Sequence, residues 1–182
     1  MRLITLFLLF CSQSLLAQNY SPEDATGAVE FRVRNFGLEV NGSLKGLTGN
    51  IQFNPVNLAA SSFMVKVDAS TINTNNSMRD KHLRGNDYFD VIRFPTITMK
   101  SERIEKSATP GYYIFTGRLA MKGVEKEISF PFTTAQETGG IRFSGTLTIK
   151  RRDFGIGGRS TISNEVRIKL HVLGKNTTPL NY

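Results

Sequence analysis

The feature that most constrains this chain is a two-residue rhythm of apolar side chains that returns along nearly its whole length. In "VEFRVRN", Val29, Phe31 and Val33 alternate with Glu30, Arg32 and Arg34; in "FMVKVDA", Phe63, Val65 and Val67 alternate with Met64, Lys66 and Asp68. The same rhythm runs through "TITMKS", "YIFTGRLAMKG", "EISFPF", "IRFSGTLTIKR" and "EVRIKLHVLG". Side chains on a strand point alternately to opposite faces, so each stretch has one apolar and one polar face. With "LEVNGSLKG" and "GNIQFNP", the pattern predicts eight or nine strands. Turn signals separate them at "NG" (41–42), "NPVN" (54–57), "TPG" (109–111), "KG" (122–123) and "TGG" (138–140). Short connections imply antiparallel neighbours, and the apolar faces must meet one another in an all-β sandwich or barrel.

The rhythm fails once, between residues 71 and 93. There Asn75 or Asn76 can cap a short helix through "MRDKHLR", and Gly85 can end it in a left-handed conformation before Pro95 restores extended backbone. A helical lid or plug over about residues 75–92 is therefore expected. This is also the densest polar stretch of the chain, with Arg79, Asp80, Lys81, His82, Arg84, Asp87 and Asp90 close together.

The first residues, "MRLITLFLLFCSQSLLAQ", have a positive start at Arg2, an apolar run from Leu3 to Phe10 and a small residue at Ala17. That is the pattern of a signal peptide over 1–17, cut near Ala17/Gln18, and the run is too short to span a bilayer. A secreted or periplasmic mature chain over 18–182, a single domain, is the expectation. Cys11 would leave with the leader, so no disulfide would hold the fold together.

No catalytic or metal motif stands out. His82 and His171 are the two histidines. Asp80 and His82, two apart on a helix, point to different faces, whereas zinc needs three or four converging ligands. There is no G-x-S-x-G, and Asp80 and Arg84, four apart, suit an ordinary ion pair. "GIGGRS" at 155–160 is not followed by a helix that could present its N-terminus to phosphate, and has the composition of a turn. The formal charge is +8, but the basic residues are scattered apart from "KRR" at 150–152. This favours a charged outer face over a nucleic-acid footprint, which would cluster its charge. Thirteen phenylalanines supply large inward side chains that either fill a barrel or line a ligand cavity; periodicity leaves both open.

"MRDKHLRGNDYFDVIRFPTITMKS" resembles the signature of the YceI-like family, R-D-x-H-L-x-x-x-D-F-F-D-V leading into Y-P-T-I-x-F-x-S. "EFRVRNFGLEVNGSLKGLTGNIQFNPVNLAASS", "DASTINTNNSMRDKHL", "YYIFTGRLAMKGVEKEISFPF" and "IKRRDFGIGG" fall in the family's order, over about residues 28–173. Tyr88, Phe94, Met99 and Met121 depart from the usual residues, and the added methionines soften the wall. The resemblance implies an extended, eight-stranded, antiparallel, lipocalin-like β-barrel with a helical segment at one end. Its interior would bind a polyisoprenoid, isoprenoid quinone or fatty amide, in a secreted or periplasmic, often dimeric protein.

On that reading the tail lies among Phe31, Val33, Phe53, Val65, Val67, Ile97, Met99, Phe115, Leu119, Phe130, Phe143, Leu147, Ile168 and Leu170. Arg79, Asp80, His82, Arg84 and Arg152 trim the mouth or hold a head group. No metal, cofactor other than the lipid, nucleic-acid partner or enzymatic activity is expected. The alternatives are an enzyme acting on a lipid-linked substrate through His82 and Asp80, and a packed barrel that acts through its basic exterior.

Overall fold

The computed structural model describes residues 18–25 and 27–177. The expected leader and Cys11 lie outside them. The strands are β1 (Gln18–Pro22), β2 (Val29–Asn35), β3 (Leu38–Phe53), β4 (Ser62–Asn73), β5 (Thr96–Lys106), β6 (Tyr112–Met121), β7 (Val124–Glu137), β8 (Gly140–Lys150) and β9 (Ile162–Asn176). One α-helix, α1 (Ser77–Arg84), sits between β4 and β5.

All pairings are antiparallel, and the β3–β4 pair closes the sheet on itself. β1 and β2 both lie between β3 and β9, so together they form one interrupted strand in an eight-strand barrel. Asp24 occupies the interruption. Its carboxylate accepts hydrogen bonds from the backbone N–H groups of Gly46 and Leu47, at 2.9 and 3.0 Å. Those donors lie where β3 slips register against β4.

The alternation places the apolar parity inside. Phe31, Ile168 and Leu147 form one cross-strand row; Val33, Val166 and Ile149 form the next. Val65, Met99 and Leu119 continue around the wall.

Two sequence expectations change. Asn41–Gly42 is no turn: β3 runs unbroken for 16 residues, and the actual β2–β3 turn is at Phe36–Gly37. Gly42 faces Phe31 across the pair, and a Cβ there would stand 2.2 Å from the ring, so the glycine is a seat for the aromatic. Gly85 is extended (φ −70°), not left-handed, though its N–H still bonds the His82 carbonyl.

The two ends differ. One carries the β3–β4, β5–β6 and β7–β8 connections and is filled by Tyr20, Phe53, Phe63, Tyr113, Phe132 and Phe143. The Phe53 ring meets Phe63, Tyr113, Phe132 and Phe143 edge-on at 5.2–6.3 Å between centroids. Edge-to-face packing of this kind adds to the burial of the rings themselves. The other end carries the β2–β3, β6–β7 and β8–β9 connections and the long β4–β5 insertion with α1. Among the described residues no helix is long and apolar enough to cross a membrane.

Candidate functional site

Above the aromatic plug the barrel is hollow. A cavity of about 200 Å³ runs from Phe63, Phe132 and Phe143 up to Leu83, Tyr88 and Phe89 beneath the insertion. From Ile162 to Val172 its lining follows β9, about 33 Å of strand. At the usual barrel tilt of about 35–45° that is about 25 Å along the axis. A cavity lined this way stays dry when empty and favours an apolar guest.

Thirteen of the residues predicted for the interior line it: Phe31, Val33, Val65, Val67, Ile97, Met99, Phe115, Leu119, Phe130, Phe143, Leu147, Ile168 and Leu170. Phe53 does not; it is 1% exposed and belongs to the plug below.

Polar side chains gather where the tunnel meets the lid. Asn35, Thr74, Arg79, Tyr88 and Arg151 line its upper part. A wider vestibule of about 390 Å³ shares Asn35, Arg79, Leu83, Tyr88 and Ile162 with the tunnel and adds Asn76, Met78, His82, Ser160 and Thr161.

Local chemistry explains how the insertion holds this shape. Asn76 caps α1 by accepting the Arg79 N–H at 3.0 Å. The buried Asp80 accepts the Thr74 N–H (2.8 Å) and hydroxyl. Arg79 donates to the Thr74 hydroxyl (2.7 Å) and carbonyl (2.8 Å). Arg84 donates to the carbonyls of Ser70 (2.6 Å) and Ile72 (2.8 Å) on β4. Thus Asp80 and Arg84 bond to the end of β4 and not to each other. The His82 ring lies edge-on to Tyr88, 4.9 Å between centroids. Asp80 is spent on Thr74 while His82 faces the vestibule, so the two are not brought together as an acid–base pair. Among the described residues no three of His, Cys, Asp and Glu converge as metal ligands.

Arg152, expected to trim the mouth or hold a head group, stands exposed at the mouth end and lines neither space. Its neighbour Arg151 was missed and is 4% exposed. The Arg151 guanidinium donates to the carbonyls of Ser163 (3.0 Å), Ile156 (2.7 Å), Gly158 (3.3 Å) and Ile162 (2.9 Å), and to the Ser160 hydroxyl (2.9 Å). All five acceptors are neutral. Burial, then the nearby Arg152 charge, pull its pKa below the usual arginine value, with Tyr88 acting weakly the other way. The signal was in the sequence: the inward parity of Leu147 and Ile149 passes to residue 151, not 152.

The architecture and the signature agree with known proteins. A YceI-like domain model matches residues 20–173. A UPF0312 protein of Vibrio cholerae is 32% identical over 157 residues, covering 82% of each chain. A UPF0312 protein of Yersinia pestis is 32% identical over 177 residues, covering 92% of this chain and 91% of its own. Burkholderia cenocepacia BcnA, a crystal structure, aligns with TM-score 0.75 at 27% identity, over 84% of this chain and 94% of that one. A polyisoprenoid binding domain from Saccharophagus degradans aligns with TM-score 0.67 at 14% identity, over 88% and 99%, a likeness of fold alone. A closed antiparallel eight-strand barrel with this insertion, matched along most of its length by the domain model, belongs to the YceI-like family.

Proposed function

We propose that this protein is a carrier for one long-chain amphiphilic lipid, with the tail in the tunnel and the polar head in the vestibule. The observation that carries the reading is the continuous apolar cavity between the aromatic plug and the lid. Its length bears on the ligand class. A bilayer's hydrocarbon core is about 30 Å thick for two chains end to end, so one membrane acyl chain reaches about 15 Å. The lined wall, about 25 Å from plug to lid, leaves room for a longer chain, such as a polyisoprenoid or isoprenoid quinone. The polyisoprenoid binding of the Saccharophagus degradans domain supports this class.

At the mouth, Arg79 and His82 offer cationic or hydrogen-bonding contacts to a phosphate, quinone or amide head, and Tyr88 a flat apolar one. The role is binding and not turnover. We place the mature protein outside the cytoplasm, in the periplasm or secreted, on the leader pattern of residues 1–17.

The test is native mass spectrometry of the purified mature protein, followed by organic extraction and identification of what comes off. One long-chain species per subunit is the expected result. A protein that is empty as isolated and takes up neither isoprenoid quinones nor prenyl phosphates nor fatty amides overturns the reading.

A further inference from the structure

The barrel's exterior is divided in a way the scattered sequence charges conceal. The strand connections at the mouth end (36–37, 74–95, 122–123 and 151–161) hold eight arginines and lysines against four aspartates. Those at the plugged end (54–61, 107–111 and 138–139) hold no charged residue. The wall is mixed: Arg32, Arg103, Arg118, Arg142, Lys169 and Lys175 each pair with a glutamate. Lys66, Lys100, Lys126 and Arg167 are exposed without such a partner among the described residues, but no large apolar tips cluster around them as they do at the mouth. At the mouth, Lys81, Arg152 and Arg159 are exposed, and among the described residues none of them has an acidic partner within 4.0 Å.

The same end displays large apolar side chains to solvent. Phe36, Leu38, Met78 and Ile92 are 78%, 74%, 83% and 93% exposed. Met78 lines the vestibule; Phe36 and Leu38 belong to the β2–β3 turn, whose Phe36 N–H bonds the Thr161 carbonyl beside it. Phe36 also has φ +49°, followed by Gly37 at +78°. A bulky residue is disfavoured in that left-handed conformation, where Asn or Gly is usual. A phenylalanine held there and exposed to water is an outlier of the kind that clusters at functional sites.

We infer that the mouth end docks on the surface of an anionic lipid bilayer, with Phe36, Leu38, Met78 and Ile92 entering the head-group layer and Lys81, Arg152 and Arg159 meeting lipid phosphates. Apolar tips ringed by unpaired cations are the combination that binds such surfaces. The purpose rests on the carrier reading above: a docked mouth lets a tail pass between bilayer and tunnel without crossing water. Gln18, where the described chain begins, pairs with Phe53 at the plugged end, so a chain cut there leaves the docking end uncovered.

The experiment is co-sedimentation of the mature protein with vesicles of phosphatidylcholine alone and of phosphatidylcholine mixed with phosphatidylglycerol. Four proteins are compared: wild type, Phe36→Ser/Leu38→Ser, Lys81→Glu/Arg159→Glu, and the wall control Lys100→Glu/Arg167→Glu. All are checked for folding by circular dichroism and for lipid retention in solution. The expected result is salt-sensitive binding of wild type to the mixed vesicles, about tenfold weaker for each mouth variant and nearly unchanged for the wall control. Wild type that ignores both vesicles, or mouth variants that lose no more than the wall control, overturn the inference. So does binding to single-stranded RNA without binding to vesicles, which would assign the basic rim to nucleic acid. A protein that holds lipid yet ignores vesicles defeats docking alone; one that docks but holds no lipid defeats the carrier reading alone.

Discussion

Arg151 shows how one residue can set the shape of the mouth. A planar fork of N–H donors gathers the carbonyls of Ile156, Gly158, Ile162 and Ser163, and so folds the β8–β9 connection over the barrel. Lysine keeps the charge but has one nitrogen and cannot span those acceptors. Arg151→Lys is therefore expected to cost about 2–4 kcal/mol, since one buried carbonyl and several part-buried ones lose their donor. Urea unfolding should show a lower midpoint with an unchanged slope. A variant within about 0.5 kcal/mol of wild type, the ordinary range for a surface change, would mean the connection holds itself. At this scale the sequence was legible wherever parity governs. It placed thirteen wall residues, and it would have placed Arg151 had the rhythm been carried two residues past Ile149. Phe53 also faces inward as parity requires, but it packs in the plug and not along the cavity, because parity says which face a residue takes and not how far along the axis the hollow extends.

The elements differ in what holds them. The only buried residue of α1 is Asp80, so the helix is fixed by its cap and by hydrogen bonds from Arg79 and Arg84, not by an apolar face. Such a segment belongs among the first to open. Asn76→Ala should cost about 1 kcal/mol of local stability. If opening of α1 gates release, a fluorescent lipid should leave about fivefold faster, the rate equivalent of that energy. Amide exchange should quicken over 77–84 while the wall stays protected, and an unchanged release rate with faster exchange would show that the ligand exits elsewhere. The helix and its cap were legible because capping is local chemistry. The unbroken β3 was not, because Asn–Gly is the strongest short hairpin signal and the reason for Gly42 lies on another strand. Gly42→Val tests that reason: the added side chain must displace the Phe31 ring, an overpacking expected to cost about 1–3 kcal/mol. With the ring pushed into the bore, a long-chain ligand should be lost from a protein that still folds, as judged by lipid extraction and circular dichroism.

For the whole molecule, closure is the property no single segment announces. Alternating strands fit a sandwich as well as a barrel; what decides is that β3 pairs with β4 and leaves no edge. An eight-strand barrel is just wide enough to be filled by its own side chains or to hold one guest. Here a cluster of six aromatic rings fills one end, and the remainder is left hollow. A floor made of Phe63, Phe132 and Phe143 sets a limit that can be measured. Each methylene moved from water into the tunnel should add about 0.8 kcal/mol, about fourfold in affinity, for as long as there is tunnel left to fill. Across a series of saturated fatty amides sharing one head group, affinity should climb steadily and then level off once the tail reaches the rings. Phe143→Ala removes part of that floor, where the ring packs on Phe53, Phe63 and Tyr20. It should cost about 3–5 kcal/mol of stability in the empty protein and move the plateau to longer chains. Titration of both proteins by calorimetry reads the two plateaus directly. If Phe143→Ala weakens every chain equally and leaves the plateau in place, the tail does not reach the plug, and the head group, not the floor, sets its depth.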